Sequence, residues 1–437
     1  MKIAAAFSML LFVCLMNAQA QTPAQFAEIW DNEHVSNIFP SNVRHKDLQN
    51  YLAELTKIGV KVDEVGRSYA GREIYQVEWG KGPFKVFLWS QMHGDEPTAT
   101  SALIDIFTVL QKNRDKQWVQ DIENAVTIRA VPMLNPDGAG LFTRRNLQGI
   151  DINRDALDLK TPEARLLKRL RDEWSPDMGF NLHNQNSLTT VGETAKQAAI
   201  SLLVVYGDAA RTESEGFQRN KRVASAMLAA LNTFIPGNVG KYDDEFTATA
   251  FGDNFSAWGT PVILIETGSL SSQDEMYLVK MNFVAILTAL KTLADGSEKN
   301  FSPANYDMLT ANSSGRLMSI IFRGATVLNG RTTPPSMTTA DIGINLERRR
   351  AEFRSPGMIR RIGDLSKVAA IADYDASGFV VVGRFMPIAG GSFAELLFYR
   401  KGRQIDWSQK DLEKKYPPDA IFSFGKFITG EGVVPRR

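Results

Sequence analysis

The stretch Phe84-Lys-Val-Phe-Leu-Trp-Ser-Gln-Met-His-Gly-Asp-Glu-Pro97 constrains this chain more than any other. It opens on a short apolar run, Val86-Phe-Leu-Trp89, of the kind that forms a buried strand. It closes on Pro97, after which residues 98–110 space their apolar side chains as a helix does, with proline in the first turn. A strand feeding directly into a helix belongs to an α/β architecture, and open α/β sheets bind ligands at the carboxyl ends of their strands. The turn here carries His93 and Glu96. An imidazole and a carboxylate at that spacing can hold one divalent cation such as zinc and leave coordination positions open. The bare pair also arises by chance in polar turns, so the rest of the chain must decide.

The same pattern recurs along the sequence. Residues 60–65 and 74–79 flank Ala70-Gly71-Arg72 and predict a hairpin of edge strands, after a helical stretch over 22–55 that breaks near 41–45. Residues 125–134 predict a strand running into the turn Asn135-Pro-Asp-Gly138. Thr161-Pro162-Glu163 opens a helix to Trp174, with a hydroxyl N-cap, proline at N1 and an acid in the first turn. A strand over 177–183 then ends in His183. Residues 202–206 predict another strand, and 216–234 an amphipathic helix. The run Pro261-Val-Ile-Leu-Ile-Glu266 suits a strand buried on both faces, and a long helix over 273–294 follows it. Strand, helix and strand in succession imply parallel pairing through right-handed crossovers.

Three features stand out against this frame. Of the four histidines, His93 and His183 end apolar runs, whereas His34 and His45 lie among polar neighbours and read as solvated. A lone histidine at a strand end is more often a core residue bonded to backbone than a ligand. Glu266 ends a doubly buried strand, where a carboxylate must be paired, either in a salt bridge or with a bound group. The segment 143–155 concentrates Arg144, Arg145, Arg154, Asn146 and Asn153, which makes either a polar loop or a site for carboxylates, since planar guanidinium groups bind these through paired hydrogen bonds.

Lys2, an apolar run over 3–16 and Ala18-Gln19-Ala20 read as a secretory signal peptide over 1–20, cleaved after Ala20, and so as a secreted or periplasmic protein. A membrane anchor is the alternative, but the run is short for a span, and no other stretch is long and apolar enough for one. The single cysteine, Cys14, falls in this leader, so disulfides and cysteine chemistry are not expected and a metal site must use His, Asp and Glu. A net charge of +1 without a dense basic stripe argues against nucleic acid as a partner. Beyond a linker at 296–304 the texture changes to short β-like runs at 317–322, 368–371, 379–385 and 394–399, which predict a β-rich accessory domain over 305–437. It has neither histidine nor cysteine, and Arg348-Arg349-Arg350 within it reads as a solvated face.

Taken together, His93-Gly-Asp-Glu96, Asn135-Pro-Asp-Gly138, Arg144 just ahead of Asn146, Gly149-Ile-Asp-Ile-Asn153-Arg154, His183 and Glu266-Thr-Gly268 resemble the zinc carboxypeptidases, the carboxypeptidase A-like metallopeptidases. The likeness spans roughly residues 45–295. It implies a catalytic domain over 21–298 with the family's α/β fold, a mostly parallel eight-stranded sheet with helices on both faces. It implies one zinc ion held by His93, Glu96 and His183, with Glu266 as general base and Arg144 stabilising the oxyanion. Asn153 and Arg154 would grip the terminal carboxylate of a peptide substrate with a free C-terminus. Asp253 stands where the family lines its side-chain pocket and would select a cationic side chain there, unless it serves a turn or a helix cap. The family also places a substrate-capping tyrosine ahead of the catalytic glutamate. Asp244-Glu245-Phe246-Thr247 has none, Tyr242 is slightly too far upstream, and the role is unassigned. A zinc-dependent N-acyl amino acid deacylase of the aspartoacylase type shares part of the motif set, and cell-wall stem peptides are a further possible substrate.

Overall fold

The computed structural model describes residues 21–329, 335–409, 411–430 and 432–436; the leader expected at 1–20, with Cys14, lies outside them. Helix α1 (Pro23–Glu33) begins at Thr22, which forms a reciprocal capping box with Gln25. Helix α2 (His45–Lys57) follows, then the hairpin of β1 (Lys61–Arg67) and β2 (Glu73–Gly80). Next come β3 (Phe84–Ser90), α3 (Thr98–Lys112), α4 (Gln117–Ala125) and β4 (Val126–Val131). Pro97 stands at the N-cap of α3 rather than inside its first turn. Helices α5 (Pro136–Leu141) and α6 (Pro162–Trp174) lead to β5 (Met178–Asn184). The rest of this unit is β6 (Thr190–Val191), β7 (Ile200–Val205), α7 (Glu215–Asn232), β8 (Val239–Lys241), α8 (Phe251–Ala257), β9 (Val262–Thr267) and α9 (Glu275–Asp295).

Eight strands pair in the order β1-β2-β4-β3-β5-β9-β7-β8. The sheet is mixed, which corrects the expectation of a mostly parallel one. Strands β4, β3, β5 and β9 run parallel, as do β7 and β8, but β2 joins β4 antiparallel and β7 lies antiparallel to β9. The connections explain this. Helical crossovers return the chain for a parallel strand from β3 to β4, from β4 to β5 and from β7 to β8, although α8 between β8 and β9 does not. The hairpin has no such crossover, and no helix stands between β5 and β7 among the described residues. An apolar run records burial but not direction.

Helices cover both faces, as expected. Val86 and Leu88 of β3 enter a core shared with α1, α2, α3, α4, α7 and α9, while Phe87 and Trp89 enter a second core with α6 and α8. By length and composition α9 could cross a membrane, contrary to the expectation that no such stretch lies past the leader. Most of it is buried inside the protein, and it is the central helix of the first core. His34 stacks on Trp30 with ring centroids 4.0 Å apart, and His45 Nε2 lies 2.8 Å from the carbonyl of Glu73. Both rings are half-buried and structural rather than solvated.

Gly296, with φ +71°, ends α9 in the left-handed region. The short strand β10 (Asn312–Ser313) then pairs with β6. A second sheet contains β11 (Leu317–Asn329), β12 (Ser336–Leu346), β13 (Gly357–Gly363), β14 (Ala369–Asp375), β15 (Phe379–Gly383), β16 (Leu396–Arg400), β17 (Ala420–Ser423), β18 (Lys426–Gly430) and β19 (Val434–Pro435). It branches at β11, whose first half pairs with β14 and whose second half pairs with β15. Phe322, Phe398, Phe422 and Phe427 meet edge-on or tilted at its centre, with centroids 5.0 to 5.8 Å apart.

Candidate metal centre and substrate cavity

Three adjacent strand ends build the site. The chain leaves β3 through Gln91, which takes φ +50° although it is not glycine. Its amide holds that strained turn in place, donating to the carbonyl of Gly94 at 3.0 Å and accepting from the Thr100 hydroxyl at 2.9 Å. The turn delivers His93 and Glu96. β5 delivers His183, and β9, its parallel neighbour, delivers Glu266 at the facing register position. All four side chains are buried.

The donor atoms converge. Glu96 Oε1 lies 2.9 Å from His93 Nδ1, and Glu96 Oε2 lies 2.7 Å from His183 Nδ1. The two Nδ1 atoms are 3.2 Å apart, and Arg144 Nη1 reaches His93 Nδ1 at 3.0 Å and Glu96 Oε1 at 3.2 Å. One oxygen and two ring nitrogens around one point form a ligand atom set within 4.8 Å. Asp151 fixes the first ring: its Oδ1 accepts from His93 Nε2 at 3.0 Å, which leaves the Nδ1 lone pair facing inward. Two ring nitrogens and a carboxylate oxygen at this spacing can hold a cation, and three protein ligands with an open position suit zinc. The residues therefore fit the ion that the sequence implies.

The charges agree with this geometry. Burial opposes a charge on His93, but Glu96 and Asp151 push its imidazole up to about 9. His183 is pulled down, chiefly by burial. Burial also opposes ionisation of Glu96, yet the two imidazoles hold it well below the usual carboxylate range. Burial, then the charge of Glu96, drives Glu266 well above that range, and its Oε2 is buried without a hydrogen-bond partner among the described residues.

A cavity of about 650 Å³ opens beside this cluster, and the eight side chains to which the resemblance gives roles line it: His93, Glu96, His183, Glu266, Arg144, Asn153, Arg154 and Asp253. Arg144 is tied down by a 2.9 Å bond from Nε to Asp151 Oδ2. Asn153 Oδ1 accepts the Phe251 N–H at 2.9 Å, and Arg154 Nη1 donates to the Asn153 carbonyl at 2.7 Å. Asp253 Oδ1 accepts the Thr247 N–H at 2.8 Å, and burial raises its carboxyl to about 6. Arg145 and Asn146 turn away from the cavity. Arg145 donates to the Gly149 carbonyl, while Asn146 Oδ1 accepts the N–H groups of Gln148 and Ile150.

Sequence reasoning missed two contributors and left a third open. Asp151 stands inside the motif Gly149–Arg154 but is given no role there, because its partner His93 is 58 residues away. Segment 311–314 follows the expected catalytic domain, yet it lines the cavity, and Asn312 is bonded to Gln185 at 2.8 Å and to Ser201 at 3.0 Å. Tyr242 also lines the cavity, and the charge of Glu266 and burial hold its hydroxyl protonated, well above its ordinary range.

Residues 46–233 match the model of the zinc carboxypeptidase family, a family that uses zinc. The match ends ahead of Asp253 and Glu266. The chain is 28% identical over 108 residues to a probable carboxypeptidase 2 of Trichophyton verrucosum, an alignment covering 25% of this chain and 20% of that protein. It is 31% identical over 118 residues to carboxypeptidase E of Caenorhabditis elegans, covering 22% and 25% respectively. The chain thus spans about a fifth to a quarter of the length of these curated relatives. A metallo-carboxypeptidase from Burkholderia cenocepacia superposes with a TM-score of 0.47 at 17% identity, covering 58% of this chain and 69% of that structure.

Proposed function

We propose that this chain, which matches the zinc carboxypeptidase family over 46–233, is a metallocarboxypeptidase that removes C-terminal residues from peptides. The observation that carries this reading is the convergence of His93, Glu96, His183 and Glu266 from three neighbouring strand ends onto one cavity. Zinc held by His93, Glu96 and His183 would act as a Lewis acid that polarises the scissile carbonyl and acidifies water. Glu266 takes the proton of the attacking water at Oε2, its unpartnered oxygen, and passes it to the leaving amine nitrogen. Water oxygen joins the carbonyl carbon, the C–N bond breaks, and a shortened peptide and a free amino acid leave. Arg144, held by Asp151, presents N–H donors where the carbonyl oxygen gains charge.

Asn153 and Arg154 supply the grip on the substrate's terminal carboxylate, which restricts cleavage to chain ends. Asp253, ionised above pH of about 6, faces the same cavity and suits a lysine or arginine side chain. Tyr242, kept protonated by the field of Glu266, is positioned to donate its O–H to bound substrate and takes the capping role. The β-rich region over 305–437 is proposed as an accessory domain. Export follows from the leader read at 1–20.

Zinc analysis of the purified protein, combined with amino-acid release from a mixed peptide library and from N-acyl amino acids, tests this reading. Stoichiometric zinc and release from peptide C-termini support it. Turnover of N-acyl amino acids alone would indicate the deacylase, and no release from either would end the hydrolase case.

A further inference from the structure

Arg350 belongs to the basic run that reads as solvated, yet it is only 5% exposed. It lies between β12 and β13 of the second sheet and reaches across to the first. Its guanidinium donates to the backbone carbonyls of Ser41 at 3.1 Å, Gly140 at 3.0 Å and Ala139, and lies 5.2 Å from the ring of Phe142. Ala139 and Gly140 are at the carboxyl end of α5. The last carbonyls of a helix lack donors from within it, and a cation there is favoured. Arg350 therefore closes α5 from a distant part of the chain. The segment carrying it is itself fixed, since Ala351 N–H donates to Ser41 Oγ at 3.0 Å and Glu352 N–H to Asn42 Oδ1 at 3.1 Å.

The other end of α5 is fastened to the turn that bears His93 and Glu96. Asn135 donates from its backbone N–H to the Gln91 carbonyl at 3.0 Å and from Nδ2 to the Met92 carbonyl at 3.2 Å. Its Oδ1 accepts the Gly138 N–H at 2.8 Å. Gly94 then rests directly on α5: a Cβ built on it would stand 1.9 Å from the carbonyl carbon of Gly138. With backbone against backbone, the turn and the helix cannot move independently.

We infer that Arg350 is a positioning residue for the metal centre: by holding the carboxyl end of α5, the second sheet fixes the frame on which His93 and Glu96 are mounted. This rests on the zinc reading above. A connection that merely glued the two sheets together would need no capped helix leading to the ligand turn.

The test compares Arg350→Ala, Arg350→Lys and Glu352→Ala in the full chain. Glu352→Ala breaks only the exposed ion pair with Arg44 in the same segment. Zinc release to a chromophoric chelator should quicken about tenfold in Arg350→Ala, with kcat reduced and KM little changed, because groups behind metal ligands typically contribute 10–100-fold to affinity. Arg350→Lys should restore part of the loss, and Glu352→Ala should behave as wild type. Release at the wild-type rate in Arg350→Ala, or equal acceleration in Glu352→Ala, overturns the inference. Hydrogen exchange of the wild-type protein needs no variant to fold. Zinc loading should slow exchange at the amides of Ala351 and Glu352, because coupling between sites is reciprocal, and unchanged exchange there overturns it equally. A wild-type chain that takes up no zinc fails the functional reading itself, and with it this inference.

Discussion

Asp151 and His93 form a 3.0 Å hydrogen bond from ring Nε2 to carboxylate Oδ1, while the second oxygen of Asp151 holds Arg144 at 2.9 Å. One carboxylate thus sets the ring orientation of a proposed zinc ligand and the placement of the proposed oxyanion donor. In Asp151→Asn a single oxygen can serve only one of the two. Zinc affinity should fall about 10–100-fold, read by competition with a chelator of known affinity. Wild-type affinity and turnover would remove Asp151 from this role.

Glu266→Gln keeps the size and one acceptor of the side chain but cannot take a proton. Zinc content should be unchanged while kcat drops by about 10²–10⁴, the usual range for a general base. Zinc analysis and initial rates on a blocked dipeptide check this, and a variant that turns over at the wild-type rate would clear Glu266 of the base role.

Arg154→Ala removes one of the donors proposed for the terminal carboxylate. Hydrogen bonds to charged groups contribute about 1.5–3 kcal/mol, so KM for free-carboxyl substrates should rise about tenfold or more. Inhibition by a C-terminal peptide amide should barely change. Equal weakening of both would count against an exopeptidase.

Burial lifts the Asp253 carboxyl to about 6, with the Thr247 N–H and Arg154 pulling it back. The group is neutral below that pH and anionic above it. Preference for a C-terminal lysine over leucine should therefore climb as pH passes upward through about 6 and then level off, while Asp253→Asn shows a flat ratio. Taking the ratio cancels pH effects on the metal centre common to both substrates. The sign for stability runs the opposite way: the folded chain holds this proton more tightly than the unfolded one, so its contribution is full at low pH and lost as pH rises through about 6. A selectivity ratio independent of pH would remove Asp253 from substrate selection.

What the sequence made legible follows from which signals are local. His93, His183 and Glu266 each end an apolar run, so strand placement and chemistry could be read together. Asp151 could not, because its importance comes from a ring 58 residues away. Strand direction was equally hidden: the apolar run at β7 looks the same parallel or antiparallel, and only its helix-free approach turns it against β9. In the second sheet, β12 reads Ser-Met-Thr-Thr-Ala-Asp over its first half, too polar to register as a strand until β11 and β13 flank it. Arg350 misled for the same reason, since three successive arginines announce solvent and only the carbonyls around α5 show otherwise.

Asn312 and its neighbours make the end of α9 a poor place to divide this molecule. A protease nick between 296 and 310 that released everything downstream would strip β6 of its edge partner and leave the Gln185 and Ser201 side chains without Asn312. The cavity would lose one wall with His93, Glu96, His183 and Glu266 still present. The same cut would take Arg350 away from the carboxyl end of α5, so the expected outcome is a fragment that holds metal less tightly and discriminates less among the peptides it admits.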